Sequence, residues 1–561
     1  MSADAIASRI HMYETLRAVA LSAQSEPIDV QLAMTFVRRS GLTGDDAIAA
    51  GLATLLASRA LREGHSAITL EQLAEQSRDV ASDIFTPTVK AQTDWSAAWW
   101  QRALAHSSIV GDALEATPLV RTSSLLQFRR YFDAEARIAA RVNALVHAPT
   151  TDGVPAFSII TGGPGTGKTT YVARRLLELR TSAPGLRVAL AAPTGKAAAR
   201  LTESIGQRLA AIAKDEGVLV EMPDEARTLH RLLGYSPLTN RYRKHRGDPL
   251  DADLVIVDEA SMVDVLMLDA LLAALKPDAR LMLVGDHHQL ASVDAGDVLG
   301  ALCRAALDAP DESPLKRCIT VLTRSWRFEQ QPAIGALASA ILSGDANRVA
   351  SVCADPASPD VQSRDASHTA DALLAPILPN LERCIAARSA VELLDALESF
   401  RLLSPEREGR LGVQGLNQMV ERWLARQGRP TQGVWYHGRP VLVTANDYGT
   451  GVFNGDLGVV WRDGANVAVY FRVAHGETRA IAPVRLPAVE TAWAMTVHKS
   501  QGSEFDDVLV VVPERESRVM NRELLYTAVT RARKRVFIVG AAAAIANAVR
   551  RQVGRTSGLQ L

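Results

Sequence analysis

The stretch FSIITGGPGTGKTTYVARRLLELR, residues 157–180, constrains this chain more than any other. An apolar run, a glycine-rich loop and a helical pattern follow one another, and the loop fits G-x-x-x-x-G-K-[ST] at Gly162, Gly167, Lys168 and Thr169. Such a loop turns its backbone N–H groups inward, and the partial positive charge of the following helix adds to them, so the ligand it suits is a polyphosphate. Gly162, Gly163, Pro164, Gly165, Thr166, Gly167, Lys168, Thr169 and Thr170 are the expected nucleotide-binding residues. Lys168 reaches the β- and γ-phosphates of ATP, and Thr169 ligates Mg²⁺.

A strand that feeds straight into a helix implies a parallel sheet, and the same texture recurs. RVALAA ends at Pro193, LVIV at Asp258 and RLMLV at Gly285, each run followed by helical periodicity. Strands buried on both faces and alternating with helices put their loops along one sheet edge. The expected class is therefore α/β. Before residue 116 the pattern is helical instead, with Val30, Ala33, Met34 and Val37 at helix spacing. Residues 1–115 are read as an α-helical N-terminal domain that docks a partner. Residues 116–325 and 326–561 are read as two P-loop-type α/β domains. Two segments break the alternation: YSPLTNRYRKHRGDPL, about 235–250, reads as a basic hairpin, and about 430–490 reads as a small β-barrel-like insertion with Asn-Gly and Asp-Gly turns.

LVIVDEASMVD places Asp258 at a strand end, where it can hold Mg²⁺ through water, and Glu259 beside it to activate the attacking water. Gln289 in GDHHQL follows the next strand and can sense the γ-phosphate. An ATPase that does mechanical work also needs cations from a second domain to stabilise charge spreading over the phosphoryl group. Arg327 in LTRSWRF and Arg531 in YTAVTRARKRV are the candidates.

Sixty-two basic residues balance sixty-two acidic ones, so any nucleic-acid site must be a local groove rather than a cationic surface. The cysteines, Cys303, Cys318, Cys353 and Cys384, lie too far apart to seed a zinc or iron–sulfur site. No run of 18 apolar residues occurs and the N-terminus has no leader pattern, so a cytoplasmic protein with no membrane contact is expected.

In order, GGPGTGKTT, APTGKAAARL, TLHRLLG, VDEAS, GDHHQL, SWRF, AMTVHKSQGSEF and YTAVTRARKRV resemble the motifs of superfamily 1 helicases. TVHKSQGSEF and NDYGTGVFNGDLG resemble the 5′-to-3′ branch. TPLVRTSSLLQFRRYFDAEARIAARV, LATLLASRALREGH and LSPEREGRLGVQGLNQMVE are similar to the RecD family, the alpha subunits of exodeoxyribonuclease V, with the similarity running from about residue 30 to 540. The resemblance implies two RecA-like domains, ATP and Mg²⁺ as cofactors, and RecB-like and RecC-like partners in a heterotrimer that acts in double-strand break repair and recombination. It implies that Gly502 and Glu504 also border the nucleotide, and that Thr194, Lys196, Thr228, His230, Thr496 and His498 face the DNA strand. Arg241 to Arg246 resembles the pin that separates strands. No glutamine in a diagnostic context precedes the P-loop, Gln127 lying well back, so a preference for adenine rests on the resemblance.

Two other readings compete: a stand-alone 5′-to-3′ DNA repair helicase, and a non-motor subunit that binds nucleotide only to hold an assembly together. The second has no need of Lys168, Glu259, Gln289, Arg327 and Arg531 all at once. No nuclease site is expected, because no lysine follows an acidic residue by two positions; the residues there are Thr88, Thr166, Thr194, Ile212, Tyr242, Ala274, Pro314, Val497 and Ala532.

Overall fold

The computed structural model describes residues 25–84, 95–149, 155–216, 224–365 and 369–561, apart from residues 106, 448, 465, 474–476, 514–516, 518 and 553. The N-terminal segment that carried the no-leader expectation, and Thr88, lie outside the described residues.

The N-terminal lobe is built on helices Pro27–Ser40, Gly44–Arg62, Leu70–Ile84 and Ala97–Ala103. Val30, Ala33 and Val37 do face its core, against Leu52, Leu55, Leu56 and Trp100, while Met34 sits at the edge. Burial of each such aliphatic side chain contributes about 1.5–3 kcal/mol. The all-helical reading misses a sheet, however. Strands β1 (Ile68–Thr69), β2 (Val110–Gly111), β3 (Leu119–Arg121) and β4 (Leu125–Phe128) pair in the order β1-β4-β3-β2. β3 and β4 lie beyond residue 116 yet pair with strands of this lobe. At two to four residues, none of the four is long enough to show a period-2 pattern.

The first parallel sheet has six strands. They are β5 (Phe157–Gly162), β6 (Val188–Ala192), β7 (Arg227–Thr228) and, beyond a hairpin of β8 (Tyr235–Ser236) and β9 (Arg241–Tyr242), β10 (Leu254–Val257), β11 (Arg280–Gly285) and β12 (Ile319–Leu322). Their order is β12-β5-β11-β10-β6-β7 and every pairing is parallel. All four side chains of β10 are buried because helices cover both faces. Val172, Leu176, Leu201 and Ile205 pack on one face. Ile138, Val142, Leu268, Leu271 and Leu302 pack on the other.

The second parallel sheet combines β13 (Val361–Arg364) and β14 (Phe400–Ser404) with β20 (Ala494–Thr496), β21 (Phe505–Val511) and β22 (Ala532–Val539), in the order β13-β22-β21-β14-β20. Between β14 and β20 the chain forms the antiparallel sheet β18-β17-β16-β15-β19 from β15 (Pro440–Val443), β16 (Leu457–Asp463), β17 (Asn466–Arg472), β18 (Thr478–Ile481) and β19 (Val489–Thr491). This is the insertion read at 430–490; its five strands run in linear order with β18 and β19 at the edges.

After the last helix, Ala542–Arg550, the chain leaves the second sheet and crosses the other two lobes. Arg555 donates to the Asp294 and Gly296 carbonyls, and Thr556 donates its N–H to His65 Nδ1 and accepts from Ser66 N–H. Leu559 and Leu561 pack on the first sheet's core. No helix among the described residues is long and apolar enough to cross a membrane.

Candidate functional site

Parallel register puts the polar strand ends together. Thr161 pairs with Gly285 and Gly162 with Leu322, so the P-loop, the Asp286–Leu290 loop and the segment after β12 meet at one edge. Gly165 and Gly167 take left-handed backbones, φ 70° and 84°, the second as N-cap of helix Lys168–Ser182. A Cβ on Gly165 would lie 2.4 Å from Arg327 Cβ, so a side chain there cannot coexist with that arginine. Lys168 Nζ donates to the Gly162 and Gly163 carbonyls at 2.7 and 3.0 Å, and Thr166 Oγ1 to Gly163 at 2.8 Å. The loop is thus closed on its own lysine, and Thr169 and Thr170 are half-buried on the first turn of the helix.

Asp258 stands at the end of β10 and accepts the Glu259 N–H at 2.9 Å. Burial first, then the neighbouring Glu259 charge, raises its carboxyl above the usual range. Glu259 itself has φ 51° and ψ 39°. A left-handed backbone costs a residue with a Cβ about 1–2 kcal/mol, and functional sites are where such strain concentrates. The sequence carried no sign of it.

Side chains from the two sheets meet across the cleft. Gln289 Nε2 donates to Asp286 at 3.1 Å, its Oε1 accepts from Arg531, and Tyr526 donates to Asp286 at 3.0 Å. Arg531 also donates to the Thr527 and Ser503 carbonyls. Burial lowers its pKa, opposed by the charges of Glu259, Glu504 and Asp286. Arg327, on helix Trp326–Gln330, is ion-paired to Glu504 at 2.5 Å, and its Nη1 is buried with no hydrogen-bond partner. For Glu504 burial acts upward, but Arg327, Arg200 and Arg531 together hold its carboxyl below the ordinary value. Gly502, with φ 69°, lies on the same loop. The structure brings Lys168, Asp258, Glu259, Gln289, Arg327, Glu504 and Arg531 to one cleft. The orphaned Arg327 donor beside the P-loop, a threonine hydroxyl on the helix that follows β5 and a carboxylate at the end of β10, one strand further along the same edge beyond β11, are the donor set that a nucleotide phosphate and a hard divalent cation call for.

Trp326 escaped the sequence reading. Its half-exposed indole lies 3.9 Å from where a Gly167 Cβ would be, with the Arg324 guanidinium 3.9 Å from the ring centroid. Only the pairing of β12 with β5 reveals that proximity.

The strand-facing candidates form a second group. Thr194 and Thr228 cap helices, accepting from the N–H groups of Ala197 and Arg231 at 3.2 Å. Thr496 is buried at the end of β20 and accepts from Lys499 N–H. These three hydroxyls shape the loops that hold them. Lys196 is pushed down to about 8 by burial and by the nearby Arg401 and Arg200. Burial also lowers His230 and His498. His230 packs edge-on against Tyr235 at 5.1 Å, which ties it to the basic hairpin. The hairpin carries Arg241 at β9 and a fully exposed Leu238 at its tip. Gln127 is buried in β4 and donates to Glu135, so it is committed to packing.

Residues 24–126 match the family model of the RecBCD enzyme subunit RecD, N-terminal domain. Residues 148–295 match an AAA domain and 491–539 a UvrD-like helicase C-terminal domain. The chain is 39% identical over 573 residues to the RecBCD enzyme subunit RecD of Mycolicibacterium smegmatis, covering 95% of this chain and 97% of that one. With the RecD subunit of Mycobacterium tuberculosis the identity is 37%, over 96% and 95%. With the ATP-dependent RecD2 DNA helicase of Deinococcus radiodurans it is 36%, over 72% of this chain and 50% of the other.

Proposed function

Because this chain belongs to the family of the RecBCD enzyme subunit RecD, we propose that it is the ATP-driven 5′-to-3′ single-stranded DNA motor of a helicase–nuclease with RecB-like and RecC-like partners. The observation that carries the reading is the Gln289–Arg531 hydrogen bond across two parallel sheets, which makes the cleft a joint that phosphate chemistry can open and close.

In this reading both parallel-sheet lobes are RecA-like. Lys168 exchanges the Gly162 and Gly163 carbonyls for the β- and γ-phosphates of ATP. Thr169 and Asp258 hold Mg²⁺, which when bound shields charge on the phosphates. Glu259 takes the proton of the attacking water, its strained backbone fixing the carboxylate at the strand end. Gln289 senses the γ-phosphate, Arg327 directs its unpartnered Nη1 at it, and Arg531 stabilises the charge that develops as the bond breaks. Trp326 offers a face to the base. Lys196, His230, His498 and the loops shaped by Thr194, Thr228 and Thr496 grip one strand without reading its sequence, and the 235–250 hairpin splits the duplex ahead.

The test is unwinding by the full-length chain. Duplexes with a 5′ single-stranded tail should open in an ATP-dependent way, and preference for a 3′ tail would overturn the polarity. Native co-purification separates subunit from stand-alone motor: two large co-eluting subunits support the first, and an active lone monomer the second.

A further inference from the structure

The helix Gly195–Glu216 begins at the strand-facing loop of Thr194 and Lys196 and belongs to the first parallel sheet. Lys196 and Arg200 are four residues apart, hence on one face of it and about 6 Å apart along its axis. Arg200 leaves its own lobe: Nη1 donates to the Gly502 carbonyl and Nη2 stands 3.8 Å from Glu504 Oε2. The other oxygen of Glu504 holds Arg327, whose Cβ rests on Gly165 of the P-loop. One carboxylate therefore joins an arginine on the strand-gripping helix to an arginine on the nucleotide loop. Gly502 packs beside Ala197 on that helix, where a Cβ would sit 3.7 Å from the alanine's in ordinary contact, and it is the left-handed backbone at Gly502, φ 69°, that favours glycine there.

We infer that Arg200 is a positioning residue that transmits strand binding to ATP turnover: it holds Glu504, and through Glu504 it sets where Arg327 presents its free Nη1. The inference rests on the motor reading above. When a strand engages Thr194 and Lys196, the rigid helix carries Arg200 with it. The pull is felt at Glu504, a contact of 3.8 Å that a small shift of the helix can tighten or break. Arg200 touches neither phosphate nor base in this scheme. Its loss should thus uncouple two sites that each still bind their ligands.

The experiment compares the full-length chain with Arg200→Ala and Arg200→Lys, measuring steady-state ATPase with and without saturating oligo-dT, and oligo-dT affinity without nucleotide. In Arg200→Ala the stimulation factor, the ratio of turnover with and without oligo-dT, should fall roughly tenfold or more, within the usual range of coupling between sites, while oligo-dT affinity changes less than about threefold. Arg200→Lys keeps the charge near Glu504 but loses the fork to Gly502, and should restore part of the factor. An unchanged factor in Arg200→Ala, or turnover that falls equally with and without oligo-dT, overturns the coupling role. If Arg200→Ala does not fold, a wild-type factor in Arg200→Lys together with one in Arg200→Gln overturns it equally. A wild-type chain with no DNA-stimulated ATPase at all removes the motor reading itself, which separates the two failures.

Discussion

Arg531, directly before β22, donates a hydrogen bond to Gln289 Oε1, whose loop follows β11 in the other parallel sheet. The two are 242 residues apart in the chain and both are buried. Gln289 passes the contact on to Asp286, which also receives Tyr526 from the second lobe. Neither arginine nor glutamine can move without re-pairing the other, and the bond is one of several between the lobes, beside Leu290 N–H to Thr527 Oγ1 and Gln501 Nε2 to the Leu290 carbonyl.

Arg531→Ala should therefore bind nucleotide with modest loss yet hydrolyse it at least about tenfold more slowly, a transition-state contact worth more than about 1.4 kcal/mol. Stopped-flow nucleotide binding and steady-state turnover read the two effects separately. Equal losses in both would assign the arginine a ground-state role.

Lys168→Ala should abolish ATP hydrolysis and unwinding while leaving the thermal unfolding profile near that of the parent. The ammonium is bonded only to the loop carbonyls of Gly162 and Gly163 and lies outside every apolar cluster, so its removal leaves no cavity in the core. Near-normal DNA-stimulated ATPase in this variant would sink the P-loop assignment.

Trp326→Ala should raise the KM for ATP by roughly fivefold or more, since stacking of a base on an aromatic ring is worth about 1–3 kcal/mol, and should leave kcat less affected. Trp326→Phe keeps a ring beside Gly167 and should recover most of the affinity. A kcat loss with unchanged KM in the alanine variant would instead show that the indole serves Arg327, its neighbour in sequence.

What was legible in the sequence was whatever is local. The P-loop, Asp258 and the Gly285–Leu290 cluster each sit at the end of an apolar run, and parallel pairing follows from strands buried on both faces, so their convergence at one edge could be argued without coordinates. Local conformation already escaped it. Glu259 takes a backbone that favours glycine, and Thr194 and Thr228 turned out to be helix caps. Hydrophobic periodicity missed β1 to β4 because each has too few residues to alternate. Contacts at the longest range left no trace at all. The segment RTSGLQL shows neither period nor motif, yet it crosses two lobes.

That segment supplies the last prediction, through Glu135. The carboxylate is buried on helix Arg129–Val146 and accepts from Ser66 Oγ, Gln127 Nε2, Ser557 Oγ and the Gly558 N–H, which belong to the N-terminal lobe, to β4 and to the crossing segment. No cation is among these four donors, so the carboxylate acts as a hub of neutral hydrogen bonds. Removing it leaves several buried donors unsatisfied at about 1–3 kcal/mol each, partly relieved by rotation of the two serine hydroxyls and by entering water. Glu135→Ala should accordingly destabilise the chain by roughly 2–4 kcal/mol, visible as an earlier first transition in calorimetry and faster protease cleavage within residues 554–561. Glu135→Gln keeps the shape and an oxygen for the Gln127 amide and the Gly558 N–H, turns its NH2 toward the Ser66 and Ser557 hydroxyls, which must rotate to accept, and should fall between the two. A parent-like first transition in Glu135→Ala would show that the crossing segment is held by Arg555, the Thr556 bonds to His65 and Ser66, and the packing of Leu559 and Leu561.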